Sequence, residues 1–342
     1  MASRSRGRRR RPLLLSGALG LAGGSACGVA PPAAAPPPPP PPLPDVRIVA
    51  LEDLMTAAGL RWLVGGAPAI WWGLDWMRDD LRAIASDRGL DALTRATGID
   101  LRTTGEVALA GYPQQAVAYL VRHARDPRVV EARFRERLTH RPVRRVAGHQ
   151  RVSVFGRVGN ERRGLATIGP DVAVFQFGGE RRTGPARIAV RYSLGELTDI
   201  PRAREDPALA SLARAFDGAP GRAFWPGPFD GDVAGGLRGL LSVSTGVGLR
   251  AMPRAPDAID ITLLVLGDYQ ENPDRAAALL ARAWDDVTTA DLGSLLSLEA
   301  PIREPTTFPL PGALGLHVTL SASRLLRGLR IVTAASIRDA LR

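Results

Sequence analysis

One order of local signals occurs twice in this chain and limits what it can fold into. In the first half an apolar stretch over 116–123 runs into Asp126 and Pro127 and then a helical pattern; in the second, a stretch over 258–267 runs into Asn272 and Pro273 and another helical pattern. An Asp or Asn followed by proline is a helix start. The side-chain oxygen accepts from an open backbone N–H of the first turn, and proline supplies a fixed φ where no amide donor is needed. Asp206 before Pro207 is a third such start. The predicted helices cover 127–138, 207–216 and 273–287. Direct identity between the halves is low, so the correspondence is one of pattern.

Strands are predicted over 105–111, 116–123, 151–157, 164–169, 171–178, 187–193, 240–250, 258–267, 315–321 and 329–334, with Gly, Pro or Asp at many boundaries. Gly169 and Pro170 read as a tight turn joining two of them. About 300 residues follow Val46, enough for a large core. The expected fold class is α+β: mostly antiparallel sheets covered by helices, in two similar β-β-α-β-like subdomains, 45–200 and 201–342.

The N-terminal region carries a different signal. Arg4, Arg6 and Arg8 to Arg11 precede an apolar stretch from Leu13 to about Ala22, too short to cross a hydrocarbon core about 30 Å thick, and Cys27 is the single cysteine of 342 residues. Gly24, Ser25, Ala26 and Cys27 resemble the lipobox of bacterial lipoproteins, although leucine is usual where Gly24 stands. The resemblance implies a signal peptide over 1–26, lipid attachment at Cys27, and an outer-membrane location on the periplasmic face, since Gly28 replaces the aspartate of inner-membrane retention. Cleavage after Ala26 without lipidation, giving a soluble periplasmic protein, is the alternative. Arg10 to Leu14 also resembles a twin-arginine export signal. Pro31, Pro32, the run Pro36 to Pro42 and Pro44 make 27–44 an extended tether of about 50 Å at most. The body is similar to envelope lipoproteins of the myxobacterial kind in its Arg/Ala/Pro-rich composition and in the turn Thr97, Gly98, Ile99, Asp100, a likeness that implies no activity.

Charge and composition remove several function classes. The formal charge of +11 includes six arginines upstream of Cys27 and no acidic residue there, which leaves +5 for the remainder. That balance does not call for nucleic acid. Every basic residue is arginine, whose pKa lies above about 12, so lysine-dependent phosphate loops, Schiff-base chemistry and Ser–Lys hydrolysis are excluded. A single cysteine excludes structural disulfides and thiolate zinc clusters.

Candidate site residues are few. Four of the six tryptophans, Trp62, Trp71, Trp72 and Trp76, fall within fifteen residues. A helix from Pro68 sets Ile70, Leu74, Met77, Leu81 and Ile84 on one stripe and Trp72 and Trp76 nearly opposite, beside Asp75 and Asp79. The tryptophans are then either sandwiched inside the protein or a docking patch for lipid, membrane or protein. His123, His140, His149 and His317 have no metal-ligand spacing. Asp230 and Asp232, or Asp268, Glu271 and Asp274, could hold a hard cation, but a turn and a helix start already account for them. Ser242 to Gly246 reads as a strand running into a turn, and no nucleophile motif occurs. No catalytic residue, metal or cofactor is indicated. The reading is an envelope lipoprotein with a non-catalytic binding or structural role toward an apolar ligand or partner protein; a periplasmic hydrolase or metal-dependent enzyme is the alternative.

Overall fold

The computed structural model describes residues 45–179 and 183–340, with side chains as far as Ile331. Cys27 and the segments read as signal peptide (1–26) and tether (27–44) lie outside the described residues. Twelve strands form one antiparallel sheet. Its first-half strands are β1 (Trp62–Gly66), β2 (Glu106–Tyr112), β3 (Ala116–Arg122), β4 (His140–Gly148), β5 (Arg151–Val158), β6 (Glu161–Ile168) and β7 (Val172–Phe177). The second half contributes β8 (Gly221–Pro226), β9 (Ser244–Arg254), β10 (Ala258–Gly267), β11 (Arg303–Leu310) and β12 (Ala313–Ser321).

The strand order is β11-β12-β10-β9-β8-β1-β2-β3-β7-β6-β5-β4. Outward from the central β8–β1 contact, β1-β2-β3-β7-β6 on one side matches β8-β9-β10-β12-β11 on the other. The predicted duplication is therefore present as topology, with β5 and β4 an addition to the first half. The hydrogen-bonded ladder is continuous across residue 200, because Leu63 pairs with Phe224 and Val64 with Ala223.

The three Asx–Pro helices form where predicted. At α4 (Pro127–Arg133), continued by a wider turn over Phe134–Leu138, the Asp126 carboxylate accepts from Arg128 N. At α6 (Pro207–Ala215) Asp206 accepts from Ala208 N and Leu209 N, and at α7 (Pro273–Thr289) Asn272 accepts from Arg275 N. The Gly169 turn adopts φ +65° between β6 and β7, a conformation glycine reaches without a Cβ penalty.

Residues alternate between two sheet faces, and each face has its own cover. On one, α4 buries Val130 and Phe134 against Val121, Val154, Leu165 and Phe175, while α7 buries Ala276 and Leu280 against Val265, Leu314 and Leu316. The opposite face carries Ala108, Ala110, Ala118, Leu120, Ile168 and Val174, covered by Leu51, Leu54 and Met55, by α5 (Pro185–Ser193) and by α6.

Four sequence expectations are corrected. Residues 187–193 are in α5 and 329–334 in α9 (Ala322–Ala340), not in strands, while 240–243 belong to a 3-10 turn ahead of β9. The single helix expected from Pro68 is broken into α1 (Pro68–Trp72) and α2 (Arg78–Ile84), because Leu74 has extended dihedrals. That break rotates the second segment. Leu74, Trp76, Met77, Leu81 and Ile84 consequently pack together with Ile259 and Leu326, while Ile70 is left 47% exposed.

Candidate functional site

Between α6 and the sheet lies a cleft of about 540 Å³. Its floor is formed by Leu63 of β1, Glu106 of β2, and Arg222 and Phe224 of β8; Val49, Ala50 and Glu52 make one wall and Ala203, Arg204, Leu209, Ala210, Ala213, Arg214 and Asp217 the other. It therefore straddles the seam between the two halves.

Local sequence sets its shape. In α6, Leu209 and Leu212, followed by Phe216, face the sheet, while Ala210 and Ala213 line the cleft. The helix can lie close because β9 has Gly248 beneath it, where a Cβ would sit 2.6 Å from Leu212 and 2.7 Å from Phe216. Gly65 gives room on β1, since a Cβ there would stand 3.0 Å from Arg222 Nε.

At the floor Arg222 Nη2 donates to Glu52 Oε1 at 2.8 Å, with the two side chains 19% and 12% exposed. Among the described residues this is the guanidinium's one hydrogen bond, and its Nε is buried without a partner. An arginine has five N–H donors, so most of this group's bonding capacity is unused. Of the other two cleft carboxylates, Asp217 is exposed and accepts from Gly218 N at 3.0 Å, and Glu106 is held by an arginine. Glu106 Oε2 accepts from Arg122 Nε at 2.9 Å, and Arg122 also bonds Asp171 at 2.8 Å and the carbonyls of Ile48 and Val49 at 3.1 and 3.3 Å, fastening the wall to β3. Arg204 lies 3.7 Å from Asp53 on the rim.

The residues singled out in sequence do not converge here. Trp76 packs into the cluster around Met77, and Trp72 is half-buried near the end of α1. Trp71 donates Nε1–H to Pro220 O at 2.9 Å and so ties α1 to the start of β8. His123 is buried at the end of β3: Nδ1 accepts from Arg125 N at 3.2 Å, Nε2 has no partner among the described residues, and burial pushes its pKa below the ordinary value of 6.5. His140 and His149 are exposed. His317 lies on β12, its Nδ1 3.3 Å from the Thr262 hydroxyl. Asp230, Asp232, Asp268, Glu271 and Asp274 are exposed, and among the described residues no three His, Cys, Asp or Glu side chains gather as a metal set. His149 follows β4 and Asp230 follows β8, so the strands beside them, β5 and β8, are separated by roughly 29 Å at about 4.8 Å per strand. Ser244 is buried against Tyr269, oxygen to oxygen at 2.6 Å.

Arg222, Glu52 and the cleft wall of α6 escape a reading by motif. The pair is 170 residues apart in sequence and meets only once β1 and β8 join. The available signal was Gly65 and Gly66 ahead of Pro68, glycines in an apolar stretch that mark a close approach. Among the described residues no helix is long and apolar enough to cross a membrane. No family model matches this chain, and neither do any curated protein or solved structure.

Proposed function

We propose that this protein is a non-catalytic binder of a small amphipathic molecule, exported to the cell envelope and held there through a lipid on Cys27. The ligand's apolar body lies along Leu63, Leu209, Ala210, Ala213 and Phe224, and its hydrogen-bond acceptor meets the Arg222 guanidinium. The observation that carries this reading is a guanidinium with unused donors at the floor of a cleft whose apolar side chains, Leu63, Leu209, Ala210, Ala213 and Phe224, lie between charged residues of the walls. A volume near 540 Å³ falls within the about 300–1,000 Å³ usual for small-molecule sites, where apolar walls and a few polar groups fix the ligand's orientation.

The geometry favours binding over hydrolysis. Acid–base catalysis needs a free titratable pair converging on one reacting centre. Here Glu52 and Glu106 are each held by a guanidinium, at 2.8 and 2.9 Å, which leaves Asp217, exposed on the wall, without a free titratable partner among the cleft's carboxylates. The test is native mass spectrometry of the protein isolated from envelope without detergent. A single adduct of a few hundred daltons, lost on denaturation, is expected; an adduct-free mass across independent preparations contradicts the proposal.

A further inference from the structure

The far edge of the sheet concentrates positive charge. Residues 131–163 contain ten arginines and three glutamates, a formal +7 in one segment of a chain whose residues from Cys27 onward sum to +5. The three glutamates are occupied: Glu131 by Arg144 at 2.6 Å and Arg135 at 3.7 Å, Glu136 by Arg133 and Arg137 at 3.9 and 4.0 Å, and Glu161 by Arg163 at 2.9 Å. Arg151 bonds Ser193 and the His149 carbonyl. Arg141, Arg145, Arg157 and Arg162 are exposed and have no carboxylate partner among the described residues.

The register places these groups together. Arg157 of β5 stands directly opposite Arg162 of β6 and pairs on its other side with His140 of β4, so the three share a row on one face. Arg145, opposite Ser153, lies on that same face further along β4. Like charges directly opposite each other repel. Nothing within the described chain neutralises them, and this strip of field is open to an external anion. Val143, 48% exposed and opposite Phe155, adds apolar surface on the face of the arginines.

The chain enters the body at this same hairpin. Asp45 accepts from Gln150 Nε2 at 2.6 Å, and Val46 N donates to Gln150 Oε1 at 2.9 Å, at the turn between β4 and β5. From that turn to Arg157 is about 24 Å along the strand. The choice of surface rests on the lipid proposed at Cys27, from which eighteen residues of chain, 27–44, lead to Asp45 at this edge.

We infer that the β4–β5–β6 edge docks on an anionic phospholipid surface through Arg145, Arg157 and Arg162, whose planar guanidiniums suit phosphate oxygens. The test uses the chain from residue 27 onward with Cys27→Ser, so that neither an acyl chain nor the six arginines of 1–26 contribute, and vesicles of phosphatidylcholine with or without about a third phosphatidylglycerol. Binding at least about tenfold tighter to the anionic vesicles is expected, falling about fivefold for each arginine neutralised in Arg157→Gln/Arg162→Gln and disappearing in Arg145→Glu/Arg157→Glu/Arg162→Glu. These side chains have no carboxylate partners to lose among the described residues, so the variants keep the parent's thermal midpoint. Equal binding to both vesicles, or parent-like binding by the folded glutamine variant, overturns the inference. Tighter retention of an RNA or DNA duplex than of anionic vesicles at the same salt overturns it in favour of nucleic acid.

Discussion

Phe224→Ala is expected to lower the free energy of unfolding by about 3–5 kcal/mol, read by chemical denaturation. The side chain is 1% exposed, and its ring is stacked on Phe216 with centroids 6.1 Å apart and planes 14° from parallel. It lies on β8, opposite Leu63 on one side and Gly248 on the other. Gly248 has no side chain to move into the space, and α6 is pinned at its N-terminus by the Asp206 cap, so the cavity has little means to collapse. Because β8 joins the two halves, hydrogen exchange should show lost protection both in β3–β7 and in β10–β12. Loss confined to one side would mean that the halves unfold separately. Val146→Ala, at an exposed position of the edge strand, should change stability by less than about 0.5 kcal/mol.

The second large effect concerns the charge pair in the cleft. Glu52→Leu should destabilise by about 2–3 kcal/mol, because it leaves the largely desolvated Arg222 guanidinium without a counter-charge. The residual exposure of both side chains keeps this below the about 3–5 kcal/mol expected for a fully buried pair. Replacing both, in Glu52→Leu/Arg222→Leu, should return stability to within about 1 kcal/mol of the parent, since neither charge then has to be desolvated. A denaturation-based double-mutant cycle measures the coupling. A harmless Glu52→Leu would show that Arg222 swings into solvent and that the pair does not hold the cleft floor.

What could be read from sequence follows the range of the interactions that decide it. The Asx–Pro helices and the Gly169 turn depend on a few neighbouring residues and form where predicted. Over 187–193 Ile188, Val190 and Tyr192 alternate as in a strand, yet Pro185 starts a helix there, and Ala186, Ala189 and Val190 are buried together on the sheet. Tertiary burial at helical spacing outweighed a period of two. β4 went unread because it is exposed along almost its whole length and has no apolar pattern, and β11 because Pro305 and Pro309 sit within it, as an edge strand permits. β8 is short and bounded by Gly221 and Pro226. Missing β8 hid Arg222, and with it the cleft. The tryptophan stripe failed for a local reason: the extended backbone at Leu74 packs the partly buried Trp76 against the cluster of Met77 rather than opposite it.

The cleft's role is tested most directly with 1-anilinonaphthalene-8-sulfonate, an apolar ring system bearing an anionic acceptor, titrated into the folded protein and into Ala213→Trp. Ala213 lines the cleft on α6 and is only half-buried, so an indole there fills the cavity without entering the core beneath the helix. Binding in the cleft predicts saturable, one-to-one fluorescence enhancement by the parent, and its loss by at least about tenfold in Ala213→Trp at an unchanged melting temperature. Equal binding by both proteins would place the dye elsewhere and contradict the cleft as the ligand site.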